Sequence, residues 1–436
     1  MSTASASASA STLDTPVLDS QLSTLLQQIT EEGGYAFASM AALAASGDTR
    51  AAEAAKDMAW EQLHSGPRHS VVPIWRDAYA MACLHVAKHH YSSGELELAL
   101  RALDMGLIIG GLGLRDDLNL CVGKVIAALR GKELCENGAE HPKVEWCKDF
   151  DLAEMLRLLP VRSLSCNTVG RKSGLSLERF LQEHLLCGFP VIISDCMTRW
   201  PAKDRWNDMN YLKKVAGLRT VPVKVGENYW RAECNQELIT FSEFLERIQF
   251  NGCSSKDMTY LAQHQLFDQI QELKQDIVTP DYCFAGGGEI RSLNAWFGPP
   301  GIVTSLHYDP HHNLLAQVVG KTYIRLYPAS LSEELYPHSE SMLSNFSQVD
   351  LDNIDEKEFP KVLDLEFLDC ILEEGEMLYI PPNWWHYVRI RVAVYVVNII
   401  LHIIVRFVPR ISCLEEEEFH LSMDHQSSLA STLCLD

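Results

Sequence analysis

His307-Tyr308-Asp309 and His386 are the residues of this chain whose types and spacing could do chemistry. In an extended strand, residues i and i+2 share a face, so His307 and Asp309 aim an imidazole and a carboxylate at one point. His386 lies 79 residues further on, in Pro381-Pro382-Asn383-Trp384-Trp385-His386-Tyr387. A distant strand must fold back beside the first to deliver it. Two histidines and one carboxylate leave coordination positions open, the set that suits non-haem Fe(II) and its reaction with O₂. His-x-Asp alone is weak evidence, and the surrounding elements have to support it.

The chain has 436 residues, long enough for two or three domains. A hydrophobic share of 47% and a charged share of 22% describe a soluble, globular protein. The net charge of −21 argues against a general or sequence-specific nucleic-acid surface and suits basic protein partners. Thirteen cysteines are scattered with no C-x-x-C pair, which points to reduced thiols and to neither a disulfide framework nor a zinc finger. The Ser/Ala/Thr-rich start lacks a basic region and an apolar core, so no secretory signal is expected.

Residues 1–17 are small, polar and of low complexity, and disorder is expected there. From Leu18 to about residue 130 the pattern is helical. Leu22, Leu25, Leu26 and Ile29 fall at helical spacing, and Trp75 to His90 is expected to be an amphipathic helix. A turn at Ser92-Ser93-Gly94 makes one helical hairpin, and no second copy at a fixed period signals a repeat array. His85, His89 and His90 on this stretch are expected to be ordinary surface or core histidines. Residues 131–155 look like a linker. After Pro160 short β-branched runs follow at Pro190–Ile193 and Val221–Val225, with helices at Ser176–Leu186 and Phe241–Ile248. Further strands are expected at Ser292–Phe297, Ser305–Asp309, Leu314–Val319, Tyr323–Tyr327 and Met377–Ile380. Strands without long intervening helices predict an antiparallel double-sheet barrel of the jelly-roll or cupin kind. The fold class is therefore α+β, an all-helical N-terminal domain before a double-stranded β-helix with flanking helices.

Four segments, Tyr260-Leu261-Ala262-Gln263-His264, Asn294-Ala295-Trp296-Phe297-Gly298, Leu306-His307-Tyr308-Asp309-Pro310 and Tyr379-Ile380-Pro381-Pro382, together resemble the JmjC-domain Fe(II)/2-oxoglutarate dioxygenases. With the helical N-terminal half, the chain is similar to the plant branch of the lysine-specific demethylase 8 (Jumonji domain-containing protein five) group, from about residue 18 to about 388. The resemblance implies a catalytic domain over 156–401, with His307, Asp309 and His386 as catalytic iron ligands. It leaves no ligand place for His311 or His312. It also implies that 2-oxoglutarate is held at its distal carboxylate by Tyr260, Thr304 and Asn313. A lysine is expected at a fourth place, where this chain has Thr322. Lys321 is one residue off and would face the other way in a strand unless a bulge at Gly320 turns it in.

Beyond Val388 the sequence departs from the family, and the branched residues Val394 and Val396 are expected to fill space that small residues would leave. Val392 to Val405 is an apolar run of 14 residues, short of the ~20 needed to cross a bilayer. It reads as part core strand and part exposed extension, with residues 402–436 a divergent tail and Glu415–Glu418 solvated. The implied activity is demethylation of histone lysine, with H3 methyl-lysine as the implied target. The alternatives are peptidyl-arginine hydroxylation and a catalytically weakened binding protein, the last motivated by Thr322 and the altered strand. The implied partners are a histone tail or a ribosomal or chromatin protein. The implied location is the nucleus, with the cytoplasm as a second place, and the implied biology is clock-related.

Overall fold

A computed structural model describes residues 12–66, 71–136, 159–160, 162–164, 167–226, 235–250, 258–339, 343–390 and 394–402 of the chain. Helices come first: α1 (Pro16–Glu31), α2 (Tyr35–Ala45), α3 (Thr49–His64), α4 (Ile74–Ser92), α5 (Leu96–Ile109) and α6 (Arg115–Glu136). Each starts and stops for local reasons. Pro16 opens α1, whose free N–H groups at Val17 and Leu18 donate to the Asp117 carboxylate of α6 at 3.1 and 2.7 Å. Asp48 caps α3 by accepting the Ala51 N–H at 3.0 Å. Gly94, at φ +79°, turns the chain from α4 into α5.

Three expectations about this half are corrected. Order starts before residue 18, because Leu13 is buried in the helical core and Thr15 is fully enclosed. The helix over Trp75 to His90 is not amphipathic. Residues Ala78 to Ala87 are all buried, so α4 is a central helix wrapped by the others. Small alanines there let α3 and α5 approach from both sides. Finally, α6 runs past Gly131 to Glu136, into the stretch read as linker. The rest of that stretch, like residues 1–11 and 403–436, lies outside the described residues.

The second half is the expected pair of sheets. The smaller has the order β1 (Asn167–Thr168), β11 (Leu368–Leu372), β10 (Thr322–Tyr327), β13 (Trp385–Ile390), β8 (Val303–Tyr308). The larger has the order β2 (Arg171–Lys172), β3 (Val191–Ile193), β12 (Met377–Ile380), β9 (His312–Val319), β14 (Val394–His402), β7 (Glu289–Gly298), β6 (Thr259–His264), β4 (Thr220–Val225), β5 (Asn235–Thr240). Pairing is antiparallel except for the short β1–β11 and β2–β3 contacts. Alternation along each strand divides the core. On β12, Leu378 and Ile380 point between the sheets, while Met377 and Tyr379 pack outward against the flanking helices. On β10, Ile324 and Leu326 point in and Tyr323 and Tyr327 point out.

The altered C-terminal strand takes a central slot. β14 pairs along its length with β7 on one side and β9 on the other. Whether Val394 and Val396 fill the space of smaller residues is a question about side chains outside the described set. No helix among the described residues is long and apolar enough to cross a membrane.

Candidate metal centre and co-substrate cavity

His307 sits on β8 directly opposite His386 on β13, with ring centroids 4.1 Å apart. Asp309 lies just past the end of β8 rather than within it, yet its carboxylate comes to 3.8 Å from His386 Nε2. One ligand atom from each of the three residues falls within 4.8 Å of the others, and no other such cluster occurs among the described residues. His311 and His312 are engaged elsewhere. His311 Nε2 meets Arg291 at 2.6 Å, and His312 Nδ1 meets the Tyr379 hydroxyl at 2.7 Å.

The backbone sets the tautomers. His307 Nδ1 contacts the Ser305 carbonyl at 2.8 Å and His386 Nδ1 the Trp384 carbonyl at 3.0 Å. A carbonyl only accepts, so both Nδ1 atoms carry the proton and both Nε2 lone pairs are left for a ligand. Burial, reinforced by His386 and opposed by Asp309, pushes the His307 imidazole down to about 4, so it is neutral at pH 7. Asn313 Nδ2 donates to the Asp309 carboxylate at 3.3 Å. Asn383, at φ +62°, donates its N–H to the Asp309 carbonyl at 2.8 Å. Trp384 and Trp385 fix the approach to His386 by donating to the Gly188 carbonyl and the Ser332 hydroxyl, at 3.0 and 2.8 Å. Two Nε2 lone pairs, one carboxylate and oriented second partners suit a divalent transition metal.

Two bulges shape the cavity beside these residues. Opposite His386 and Val388, β8 carries one extra residue, so Thr304 and His307 face the same space although three positions apart. Between Leu261 and His264, β6 also carries one extra residue, with Gln263 at φ +52°. The cavity is ≈ 210 Å³, and Tyr260, Thr304, Asn313 and Thr322 all line it with the three candidate ligands. Thr322 and Asn313 are 1% and 2% exposed, and Thr322 Oγ1 and Asn313 Oδ1 have no hydrogen-bond partner. Buried polar atoms without partners mark a place for a polar ligand. None of the described lining residues is Lys or Arg. Lys321 is turned away, with its ammonium 2.9 Å from the Glu373 carboxylate.

Several wall residues were not singled out from the sequence. Phe346 stacks on His307 at 5.2 Å, from the long connection between β10 and β11, and Asn345 beside it also lines the cavity. Nothing in Ser344-Asn345-Phe346 distinguishes it from an ordinary loop. Gln263 and Asn294 lie within the segments that carried the resemblance, but only the three-dimensional arrangement places them in the wall.

Comparison with known proteins agrees with this architecture. Residues 15–139 match the family described as KDM8-like, N-terminal ARM repeats, and residues 177–405 match the cupin-like domain. The first match corrects the reading of the helices as a non-repeating domain: the helical hairpins are repeats whose sequences share no fixed period. The second runs beyond residue 388, where the resemblance was taken to stop. Lysine-specific demethylase JMJ30 of Arabidopsis thaliana is 60% identical, over 86% of this chain and 91% of its own length. Lysine-specific demethylase 8 of Xenopus tropicalis is 36% identical, over 76% and 84%. Jumonji C domain-containing protein 5 of Drosophila melanogaster is 34% identical, over 80% and 87%. The chain belongs to the JmjC lysine demethylase family, in the group of lysine-specific demethylase 8.

Proposed function

We propose that this protein is an Fe(II)- and 2-oxoglutarate-dependent oxygenase that demethylates lysine in a basic protein, a histone tail being the fitting substrate. The observation that carries the proposal is the convergence of two Nε2 lone pairs and the Asp309 carboxylate beside a cavity with unpartnered polar atoms. Bound iron supplies, with 2-oxoglutarate and O₂, the oxidation of an N-methyl C–H bond.

The chain's own residues do the rest. His307 and His386 are presented in one tautomer by the carbonyls behind them. Asp309 adds negative charge and is steadied by Asn313 and by the Asn383 N–H. Tyr260, Thr304 and Thr322 offer hydroxyls to the distal carboxylate of 2-oxoglutarate, and Asn313 offers its amide. Ile302, Leu315, Ile380, Val388 and Ile390 line the remaining wall and exclude water. A hydroxylated N-methyl group then breaks down to formaldehyde and the free amine. The net charge of −21 favours approach of a basic tail. With a histone substrate, the place of action is the nucleus.

Mass spectrometry of methylated histone peptides after incubation with the Fe(II)-loaded protein and 2-oxoglutarate tests this. Loss of methyl mass with matching formaldehyde supports demethylation. Gain of one oxygen on arginine assigns peptidyl hydroxylation instead. The lack of a basic residue among the described lining residues favours a second reading, a weakened catalyst acting mainly by binding. Metal and peptide binding without succinate production would select it.

A further inference from the structure

The junction between the helical repeats and the barrel is built around one carboxylate. Asp104 of α5 is fully buried and accepts four hydrogen bonds. Arg219 gives two, from Nε at 2.9 Å and Nη2 at 2.6 Å. The Thr220 backbone N–H gives another at 2.7 Å, and Gln269 Nε2 a fourth at 2.9 Å. Arg219 and Thr220 lead into β4, while Gln269 ends the short helix Leu266–Gln269 that follows β6. The Gln269 amide is used in full. Its Nε2 also donates to the Thr220 carbonyl at 2.7 Å, and its Oε1 accepts a hydrogen bond from His264 Nε2 at 2.7 Å. A carboxylate in the repeat domain thus reaches the last residue of β6 through one intervening side chain.

That residue adjoins the strained part of the cavity wall. The extra residue in β6 lies between Leu261 and His264, and Gln263 holds a positive φ that a side chain rarely adopts. Strain of this kind persists only where the surroundings over-determine it. The anchors are visible on both sides of the bulge. His264 is tied to Gln269, and β4, fixed at its start by Asp104, pairs with β6 at Lys224 opposite Tyr260. Tyr260 and Gln263 both line the cavity. Burial holds the His264 imidazole neutral, so a single N–H donor is all the link requires.

We propose that Asp104 is a positioning residue: from the repeat domain it locks β4 and the β6 bulge, and so sets the wall that receives the distal end of the 2-oxo acid. The repeat domain is then part of the site rather than a separate docking arm. This inference rests on the proposed 2-oxoglutarate chemistry only through the identity of the ligand.

The test uses the full chain loaded with Mn(II), carrying Asp104→Asn or Gln269→Met. The second variant cuts the link to His264 while leaving the Asp104–Arg219 pair in place, and it stands in if the first does not fold. Calorimetric titration gives the affinity for Mn(II) and for 2-oxoglutarate, and amide hydrogen exchange reads residues 259–264 against 385–390. Expected are unchanged Mn(II) affinity, 2-oxoglutarate binding weakened roughly 2- to 30-fold, the range found for coupling through packed networks, and faster exchange confined to 259–264. Lowered thermal stability with unchanged 2-oxoglutarate affinity and unchanged exchange at 259–264 overturns the inference. If the wild-type chain binds Mn(II) but no 2-oxoglutarate, the proposed function fails, and exchange at 259–264 alone decides the role of Asp104.

Discussion

Thr322 is the residue on which the chemistry turns. It is buried in the cavity wall, its hydroxyl has no partner, and the ammonium next to it in sequence is paired with Glu373 outside. A distal carboxylate held there meets hydroxyls and an amide but no cation from the described lining residues. A hydrogen bond to a charged group contributes about 1.5–3 kcal/mol, or roughly 10- to 150-fold in affinity. Thr322→Lys is therefore expected to lower the apparent KM for 2-oxoglutarate by a factor in that range. An ordinary KM in the unmodified chain, with no change in the variant, would show that charge is supplied from elsewhere. At this scale the sequence was informative about residue types and poor about geometry. His307, Asp309 and His386 could be picked out because metal ligands need particular atoms. The bulge that brings Thr304 beside His307, and the stacking of Phe346 on His307, depend on pairing that no local pattern encodes.

Among the elements, the turn from β12 into β13 holds the metal site together. Asn383 adopts a left-handed conformation there and its N–H fixes Asp309, which β8 itself does not reach. Asn383→Val places a branched side chain at positive φ, at a cost of about 1–2 kcal/mol. Lower thermal stability and weaker metal binding are expected, while Asn383→Gly should stay close to wild type. Equal metal affinity in both variants would separate Asp309 from this turn. In the helical half, His85 on α4 is buried with its Nε2 unpartnered, and burial, aided by Lys88, pushes its imidazole down to about 4. The unfolded chain takes up this proton near pH 6.5, whereas the folded chain resists until about pH 4. Stability from this group is complete above pH 6.5 and is lost as pH falls toward 4. The melting temperature of His85→Leu, relative to wild type, should rise steadily across that window. A constant difference would mean His85 titrates normally. The strands read correctly were those with β-branched or strongly apolar runs, such as Val191–Ile193 and Met377–Ile380. β5, with the sequence NQELIT, was missed because its residues are polar and half-exposed. α4 was misjudged because a helix buried all round keeps its polar positions without presenting a polar face.

For the whole molecule, the altered strand beyond Val388 is structural over Val394–His402. β14 joins β9 to β7, so its loss would split the nine-stranded sheet and expose two unpaired edges. A chain ending after Ile390 is expected to be insoluble or aggregated, and one ending after His402 to keep a melting temperature near that of the full chain. Solubility of the shorter product would contradict the central role of β14. The repeat architecture of the N-terminal half was hidden at this scale too. Stacked hairpins need only buried Ala and Leu at helical spacing, a requirement that many unrelated sequences satisfy without a fixed period.

In the proposed function, His307, Asp309 and His386 hold an iron that turns over 2-oxoglutarate. The most direct measurement is iron bound per chain together with succinate formed from 2-oxoglutarate, in the wild-type protein and in His386→Ala. One iron per chain with iron-dependent succinate, both lost in the variant, is the result expected. Succinate formation that persists in His386→Ala, or iron bound equally well without this histidine, would contradict it.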